Sequence, residues 1–169
     1  MNKAAFLLAL LPSFAFATDA PTDPWAPLTF LVGTWQGDGK AESATGKGGT
    51  TFSWDLEKQI LVRRDRTEYA ATAEHPAFTY EALMVFYKNP ASNGIEASYF
   101  DNGNHVLHYR LASTAEPGSL QFLSDAPAGP VFRLSYRLLN PGELSVTFDM
   151  KAPAADAFQQ VAAGVVHKQ

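Results

Sequence analysis

The 169-residue sequence contains no cysteine, and this absence removes several classes of protein at once. Without cysteine there is no disulfide framework, no thiolate metal site and no lipid-modified cysteine anchor. The sequence also lacks an apolar run as long as the roughly 18 residues that a membrane-spanning helix needs. We therefore expect a domain that is stabilised by its own hydrophobic core and has no membrane span.

The sequence has fewer basic than acidic residues, with 13 Lys and Arg against 17 Asp and Glu and a formal net charge of −4. Because nucleic acids and anionic membrane surfaces attract basic proteins, we expect neither as a partner. The sequence has no Gly-x-Ser-x-Gly motif, no phosphate-binding loop and no dinucleotide fingerprint. An enzymatic activity is therefore possible but unsupported, and no catalytic residue is predicted.

The first 17 residues have the composition of a secretory signal peptide. Lys3 precedes an apolar run over residues 4–11, and Ala15-Phe16-Ala17 forms an A-x-A cleavage pattern. We predict a signal peptide over 1–17 with cleavage near Ala17, a Pro-rich arm over 18–26 and one domain over 27–169. The expected location is the periplasm or the medium.

Helical periodicity is nearly absent from residue 33 onward, where apolar and polar residues alternate in short runs between Gly, Pro, Asn and Asp. This alternation is typical of antiparallel strands with one buried face. Because closure removes exposed sheet edges, we predict an all-β fold with a single antiparallel up-and-down barrel of about ten strands; a two-sheet sandwich is the alternative. The predicted strands are 33–44, a run with Phe52, Trp54 and Leu56 inward, 60–69, 78–87, 95–100, 105–112, 119–123, runs over 132–138 and 144–150, and 158–167.

The dipeptide Asn102-Gly103 between two alternating runs predicts a two-residue type I′ hairpin. Pairing residue 101 with residue 104 would place Tyr99 opposite Val106 and Ala97 opposite His108. Both faces of this hairpin carry aromatic residues, so the pattern does not decide which face lines the barrel.

The segment over residues 27–39, PLTFLVGTWQGDG, places a short apolar run before Gly33 and Trp35. We predict that residues 25–32 form a short helix or 3₁₀ turn that closes one barrel end. Gly33 would permit a close approach, and Trp35 would fill the narrowing end beside Lys168 or His167. These two residues are predicted to be structural.

This Gly-x-Trp strand entry resembles the calycin superfamily, which includes lipocalins, fatty-acid-binding barrels and nitrobindin-type haem barrels. The runs Tyr99-Phe100-Asp101 and His108-Tyr109-Arg110 are similar to those of small secreted lipocalin-like domains. Lipocalins place an arginine of the last strand against this tryptophan, and here Lys168 or His167 takes that position. The resemblance implies a barrel with a ligand cavity.

The basic run over residues 63–66 supplies the first candidates for a polar anchor. On a strand Arg64 and Arg66 share one face, while Arg63 shares the other with Asp65. Fatty-acid-binding barrels hold carboxylates with interior arginine and tyrosine, so the resemblance implies such an anchor; a rim or ion-pair role is the alternative. The predicted ligand-binding residues are Trp54, Arg64, Arg66, Tyr80, Met84, Phe86, Tyr99, His108, Arg110, Tyr136 and Phe148.

Four histidines raise the question of a metal or haem site. His105 and His108 differ by three positions, so on a strand they point to opposite faces and do not chelate one ion together. No metal site is predicted, and a cofactor is not expected. His108 is the candidate axial ligand if the barrel holds haem as nitrobindin-like proteins do.

From these observations we expect an exported binding protein that holds a small apolar or amphipathic molecule in a barrel cavity. One alternative is a nitrobindin-like haem barrel that acts on reactive nitrogen species. Another is an envelope interaction module without a ligand.

Overall fold

A computed structural model of the chain describes residues 23–37, 46–73, 75–113, 116–126 and 128–169. Ten strands form a closed antiparallel barrel in which each strand pairs with its neighbours in sequence and β10 returns to β1. The predicted all-β barrel is confirmed. The strands are β1 Gly33–Gly37, β2 Gly46–Asp55, β3 Ile60–Tyr69, β4 Phe78–Lys88, β5 Ile95–Asp101, β6 Val106–Ser113, β7 Ser119–Ser124, β8 Val131–Asn140, β9 Glu143–Lys151 and β10 Gln159–Lys168.

Several predictions concern residues outside the described ranges. The predicted signal peptide over 1–17 lies there entirely, as do residues 18–22 of the predicted arm. The predicted first strand extends to residue 44, and its part beyond Gly37 lies there too.

One end of the barrel is closed by a 3₁₀ helix over Ala26–Leu31, as the sequence predicts. Its Leu28 and Leu31 are fully buried, and so is Trp35 on β1. The Trp35 indole Nε1 donates a hydrogen bond to the Leu31 carbonyl oxygen over 2.7 Å. This bond satisfies the polar atom of the largest side chain in the core, so the helix and β1 form one packed unit.

The predicted cation beside Trp35 is Lys168, which lies directly opposite Trp35 in the β1–β10 pairing. Its Nζ lies 5.2 Å from the Trp35 ring centroid. Gly33 has a φ of 132°, and a Cβ there would lie 2.8 Å from Lys168 Cε. Glycine is therefore required at this position by the backbone conformation, and an added Cβ would also displace the flexible end of the lysine side chain.

The turn between β2 and β3 differs from the predicted pattern. Leu56 was expected to face inward, but it lies in the turn and is 64% exposed. Leu56, Glu57 and Lys58 all have positive φ values, so the strand ends at Asp55. The four-residue connection sets Phe52 opposite Arg63 and Trp54 opposite Leu61.

The loop that joins β5 to β6 is one residue longer than predicted. Tyr99 pairs with Leu107 and Ala97 pairs with Tyr109, so the predicted partners Val106 and His108 are wrong. The positive φ, 65°, occurs at Asn104 rather than at the Asn-Gly pair.

The loop takes this form because its side chains bond to the neighbouring backbone. Asp101 accepts hydrogen bonds from the backbone N–H groups of Gly103 and His105. Asn102 donates to the Thr79 carbonyl oxygen and accepts from the Glu81 N–H, which ties the loop to β4. The shift in register turns Tyr109 inward and His108 outward.

Candidate functional site

The barrel interior contains a cavity of about 620 Å³ at the end opposite the 3₁₀ helix. One wall comes from β3 to β6 and is largely polar and aromatic, and the facing wall comes from β8 to β10 and is apolar. The lining residues are Arg63, Thr67, Tyr80, Tyr99, Asp101, His105, Leu107 and Tyr109 on the first wall, and Phe132, Leu134, Val146, Phe148, Ala162, Ala163 and Gly164 on the second.

An interior arginine lies at the centre of the polar wall. Arg63 Nε donates to Asp65 Oδ1 over 2.9 Å, and Arg63 Nη1 donates to the Tyr136 hydroxyl over 2.7 Å. The side chains of Arg63 and Asp65 are 16% and 9% exposed, so this is a largely buried ion pair. Burial opposes the arginine charge, but the charge of Asp65 and these hydrogen bonds raise the pKa of Arg63 above its ordinary value.

The Arg63 guanidinium also rests on aromatic rings. Its central carbon lies 6.0 Å from the Phe52 centroid and 5.8 Å from the Tyr136 centroid. Burial raises the pKa of Tyr136 to about 12, although the Arg63 charge acts in the opposite direction. Tyr136 therefore remains protonated and accepts from Arg63 as a neutral hydroxyl.

A second polar chain runs along β4 and β5 to the cavity rim. The Tyr80 and Tyr99 hydroxyls hydrogen-bond to each other, and the Tyr99 hydroxyl donates to Asp101 Oδ2 over 3.0 Å. The His105 Nδ1 lies 3.0 Å from the same carboxylate oxygen.

The charge state of Asp101 follows from these contacts. Burial opposes its ionisation, but donors from His105, Tyr99 and Gly103 lower the pKa of Asp101 below its ordinary value. The carboxylate is therefore charged at neutral pH. Burial, together with Tyr80 and Asp101, raises the pKa of Tyr99, so its hydroxyl keeps its proton.

Tyr109 is a nearly buried polar side chain of the cavity wall. It is 3% exposed, and within the described ranges its hydroxyl makes no hydrogen bond. Burial raises its pKa, with a further contribution from Tyr136. The side chain is nearly buried but its hydroxyl is open to the cavity, so a polar ligand atom can reach it there.

Two buried oxygens lack hydrogen-bond partners in the part of the chain that the structure describes. They are Asp65 Oδ2 and Thr50 Oγ1. Asp65 and Thr50 lie directly opposite each other in the β2–β3 pairing. The polar side of the barrel interior is therefore incompletely satisfied by its own residues.

The apolar wall leaves room beside small residues. Phe132 and Phe148 stack with centroids 5.3 Å apart and an interplanar angle of 10°. On β10, Ala162 pairs with Phe148 and Gly164 pairs with Val146. A Cβ placed on Gly164 would have no atom within 4 Å, so the cavity extends up to this backbone.

Of the predicted ligand-binding residues, three line the cavity and four are elsewhere inside the barrel. Tyr80, Tyr99 and Phe148 are lining residues. Trp54 lies towards the closed end, where its ring meets Trp25 edge-on with centroids 5.5 Å apart. Fully buried in the core are Met84, Phe86 and Tyr136.

The other four predicted residues point away from the cavity. Arg64 and Arg66 are exposed on the outer face of β3, because the inward set on this strand contains Arg63 instead. Arg110 is exposed and pairs with Asp125. His108 is exposed on the outer face and its Nδ1 lies 3.2 Å from Ser98 Oγ, so it does not reach a haem inside the barrel. The structure therefore places these four residues outside the cavity, contrary to the inward placement expected from sequence.

Arg64 and Arg66 do line a larger, more open depression of about 850 Å³ on the outer surface. Its exposed Arg66 is already paired with Glu68 and Glu81. A surface depression that is open to solvent and contains this exposed ion-pair cluster is a weaker candidate than an interior cavity with an unpaired hydroxyl.

Comparison with known proteins leaves the family open. No family model matches the chain. It is 30% identical over 136 residues to proteins named ribosomal RNA small subunit methyltransferase H from Mycobacterium bovis and Mycobacterium tuberculosis. The match covers 75% of this chain and 33% of each relative, so the chain spans about a third of their length. A match of that extent does not place the chain in their family.

No helix in the described residues is long and apolar enough to cross a membrane. In the same ranges, no group of three or more His, Asp or Glu residues is placed to hold a metal ion.

Proposed function

We propose that this chain binds a small amphipathic molecule in the barrel cavity. The observation that carries the proposal is the Tyr109 hydroxyl, which makes no hydrogen bond within the described ranges and faces a cavity whose opposite wall is apolar. A ligand with a polar head would give this hydroxyl a hydrogen-bond partner, and its apolar body would cover the apolar wall.

The volume of the cavity and its division into a polar wall and an apolar wall support the same proposal. A volume of about 620 Å³ falls within the range of pockets that enclose small molecules. Leu134, Val146 and Phe148 present apolar side chains, while Arg63 and three tyrosines present polar atoms. Binding sites typically combine such an apolar surface with a few polar groups that orient the ligand.

The resemblance to calycin barrels is consistent with this function, since it implies a ligand cavity in the same architecture. The A-x-A pattern ending at Ala17 adds export to the proposal, with the periplasm or the medium as the location. The haem alternative loses its candidate ligand because His108 faces outward. The methyltransferase activity named for the Mycobacterium relatives is not part of the proposal.

A neutral fluorescent probe tests the proposal directly. We expect the full chain to bind Nile red saturably, with one probe per barrel, and to release it when dodecanol is added. Gly164→Trp should weaken probe binding by about tenfold or more, because the indole would occupy the space beside Val146. Circular dichroism and thermal unfolding would establish that the variant keeps its fold.

Ser53→Trp is the matched control, because Ser53 is an exposed outer residue of β2 and the added side chain is the same. It should bind the probe as the unmodified chain does. Failure of the unmodified chain to bind any probe would overturn the proposal, as would equal loss of binding in both variants.

A further inference from the structure

We infer that the cavity selects an uncharged polar head group that both donates and accepts hydrogen bonds, such as a hydroxyl or a primary amide, over a carboxylate. This inference rests on the proposed binding function and specifies the ligand class.

The first support is the charge balance of the cavity. The one arginine among the lining residues, Arg63, is paired with Asp65 over 2.9 Å. Asp101 adds a second carboxylate to the wall. With His105 neutral, these side chains sum to a net charge of −1, and with His105 protonated they sum to zero. An entering carboxylate would find no uncompensated cation to offset the loss of its hydration.

The second support is that Asp101 is already saturated with donors. Its Oδ1 accepts from the N–H groups of Gly103 and His105, and its Oδ2 accepts from the Tyr99 hydroxyl. His105 Nδ1 approaches both carboxylate oxygens, at 3.1 and 3.0 Å. A cationic head group placed at Asp101 would therefore have to displace existing hydrogen bonds, which disfavours it there.

The third support is the direction of the hydrogen bonds that join the two tyrosine hydroxyls to Asp101. The single Tyr99 proton is donated to Asp101, so the contact between the two tyrosines requires Tyr80 to donate to Tyr99. The Tyr80 oxygen is then left as an acceptor at the cavity wall. A ligand group that donates a hydrogen bond would match it.

Donors are available on the same wall. Within the described residues, Arg63 uses Nε and Nη1, and its Nη2 makes no hydrogen bond. Tyr109 has both its proton and its lone pairs unpaired in those ranges, and it can act in either direction. A hydroxyl or amide head group uses a donor and an acceptor together, whereas a carboxylate would use donors alone and face the Asp101 charge.

Competition among ligands with the same apolar chain tests this selection. Displacement of Nile red from the full chain would be measured with dodecanol, dodecanamide and sodium dodecanoate at neutral pH, each below its aggregation concentration. We expect the alcohol and the amide to compete at least about tenfold more strongly than the carboxylate, corresponding to about 1.4 kcal/mol.

Two substitutions sharpen the test. Asp65→Asn leaves the Arg63 charge without its partner, so dodecanoate should gain at least about tenfold relative to dodecanol. Tyr109→Phe removes the unpaired hydroxyl and should weaken dodecanol and dodecanamide by roughly three- to tenfold. Dodecane, which has no head group, should compete equally with the unmodified chain and with Tyr109→Phe.

The outcomes separate this inference from the proposed function. If no ligand displaces the probe and the probe itself does not bind, the binding function is wrong. If dodecanoate competes as well as dodecanol with the unmodified chain, the binding function stands and the head-group selection is wrong. Should Asp65→Asn fail to fold, the ligand ranking and the Tyr109→Phe variant decide the question.

Discussion

The two ends of the barrel differ in how completely side chains fill the interior. At the closed end, Leu28, Leu31 and Trp35 are fully buried, and the indole N–H has a backbone acceptor. At the other end, the wall encloses about 620 Å³, and the Tyr109 hydroxyl has no partner in the described ranges. Because interiors are normally close-packed, the closed end is packed for stability, whereas the other end leaves unfilled space inside the barrel.

The largest effect that follows from this comparison is expected at the closed end. Trp35→Ala removes the largest fully buried side chain, together with its hydrogen bond to Leu31. We expect the free energy of unfolding to fall by about 3–5 kcal/mol. Urea denaturation followed by circular dichroism would measure the loss.

Phe148→Ala provides the contrast at the cavity end. Phe148 is only partly buried and already borders empty space, so its removal should cost less than half as much as the loss of Trp35. Equal losses at the two positions would show that the two ends do not differ in packing as the structure indicates.

The next effect concerns the rim of the cavity and its pH dependence. The pKa of Asp101 in the folded chain lies below its ordinary value, because donated hydrogen bonds outweigh burial. Its stabilising contribution is therefore fully present above the unfolded pKa of about 3.9 and is lost as the pH falls through the lower folded value. Asp101→Asn should destabilise the chain at neutral pH by about 1.5–3 kcal/mol, with the difference shrinking below about pH 4.

Denaturation of the unmodified chain and Asp101→Asn at a series of pH values would follow this difference. Glu57→Gln is the control, because it removes an exposed carboxylate in the β2–β3 turn that lies away from the cavity. A difference between the unmodified chain and Asp101→Asn that stays constant down to the lowest pH would contradict the assignment of a charged, hydrogen-bonded Asp101.

The closed end was also the part that the sequence predicted best. Its apolar run, glycine and tryptophan are contiguous over residues 27–39, so local patterning alone indicates the 3₁₀ closure and the inward Trp35. The barrel itself follows from period-two alternation and short connections, which act between neighbours in sequence. Both features can be predicted from local sequence patterns, without knowing which residues distant in sequence contact each other.

The cavity end depends on register, which a single residue can reverse. On β3 the sequence analysis predicts Arg64 and Arg66 as ligand-binding residues, but these two face outward. The apolar Phe52 on β2 indicates which residues of β3 face inward. Once the connection is read as four residues, Phe52 lies opposite Arg63, and residues opposite each other share a face. The same kind of slip in the β5–β6 hairpin put His108 in the place of Tyr109.

Other parts of the site had no local signal. The Arg63–Tyr136 hydrogen bond joins residues 73 positions apart, across the barrel interior. The loop side chains of Asp101 and Asn102 override the preference of Asn-Gly for a two-residue turn, by bonding to the β5–β6 loop and to β4. The Arg63–Tyr136 bond exists only after the barrel has closed, and the Asn102 bonds require β4 beside the loop, whereas the Asp101 bonds are local to the loop.

The smallest expected effect tests whether Lys168 contributes through the Trp35 ring. Its Nζ lies 5.2 Å from the ring centroid, and the side chain is exposed, so Lys168→Met should cost about 0.5–1 kcal/mol while keeping the apolar stem. The measurement is a double-mutant cycle with Trp35→Leu, in which the cost of Lys168→Met should vanish because no ring remains. Lys168→Arg keeps the cation and should restore most of the stability. If Lys168→Met costs the same in both backgrounds, the charge of Lys168 does not act through the Trp35 ring.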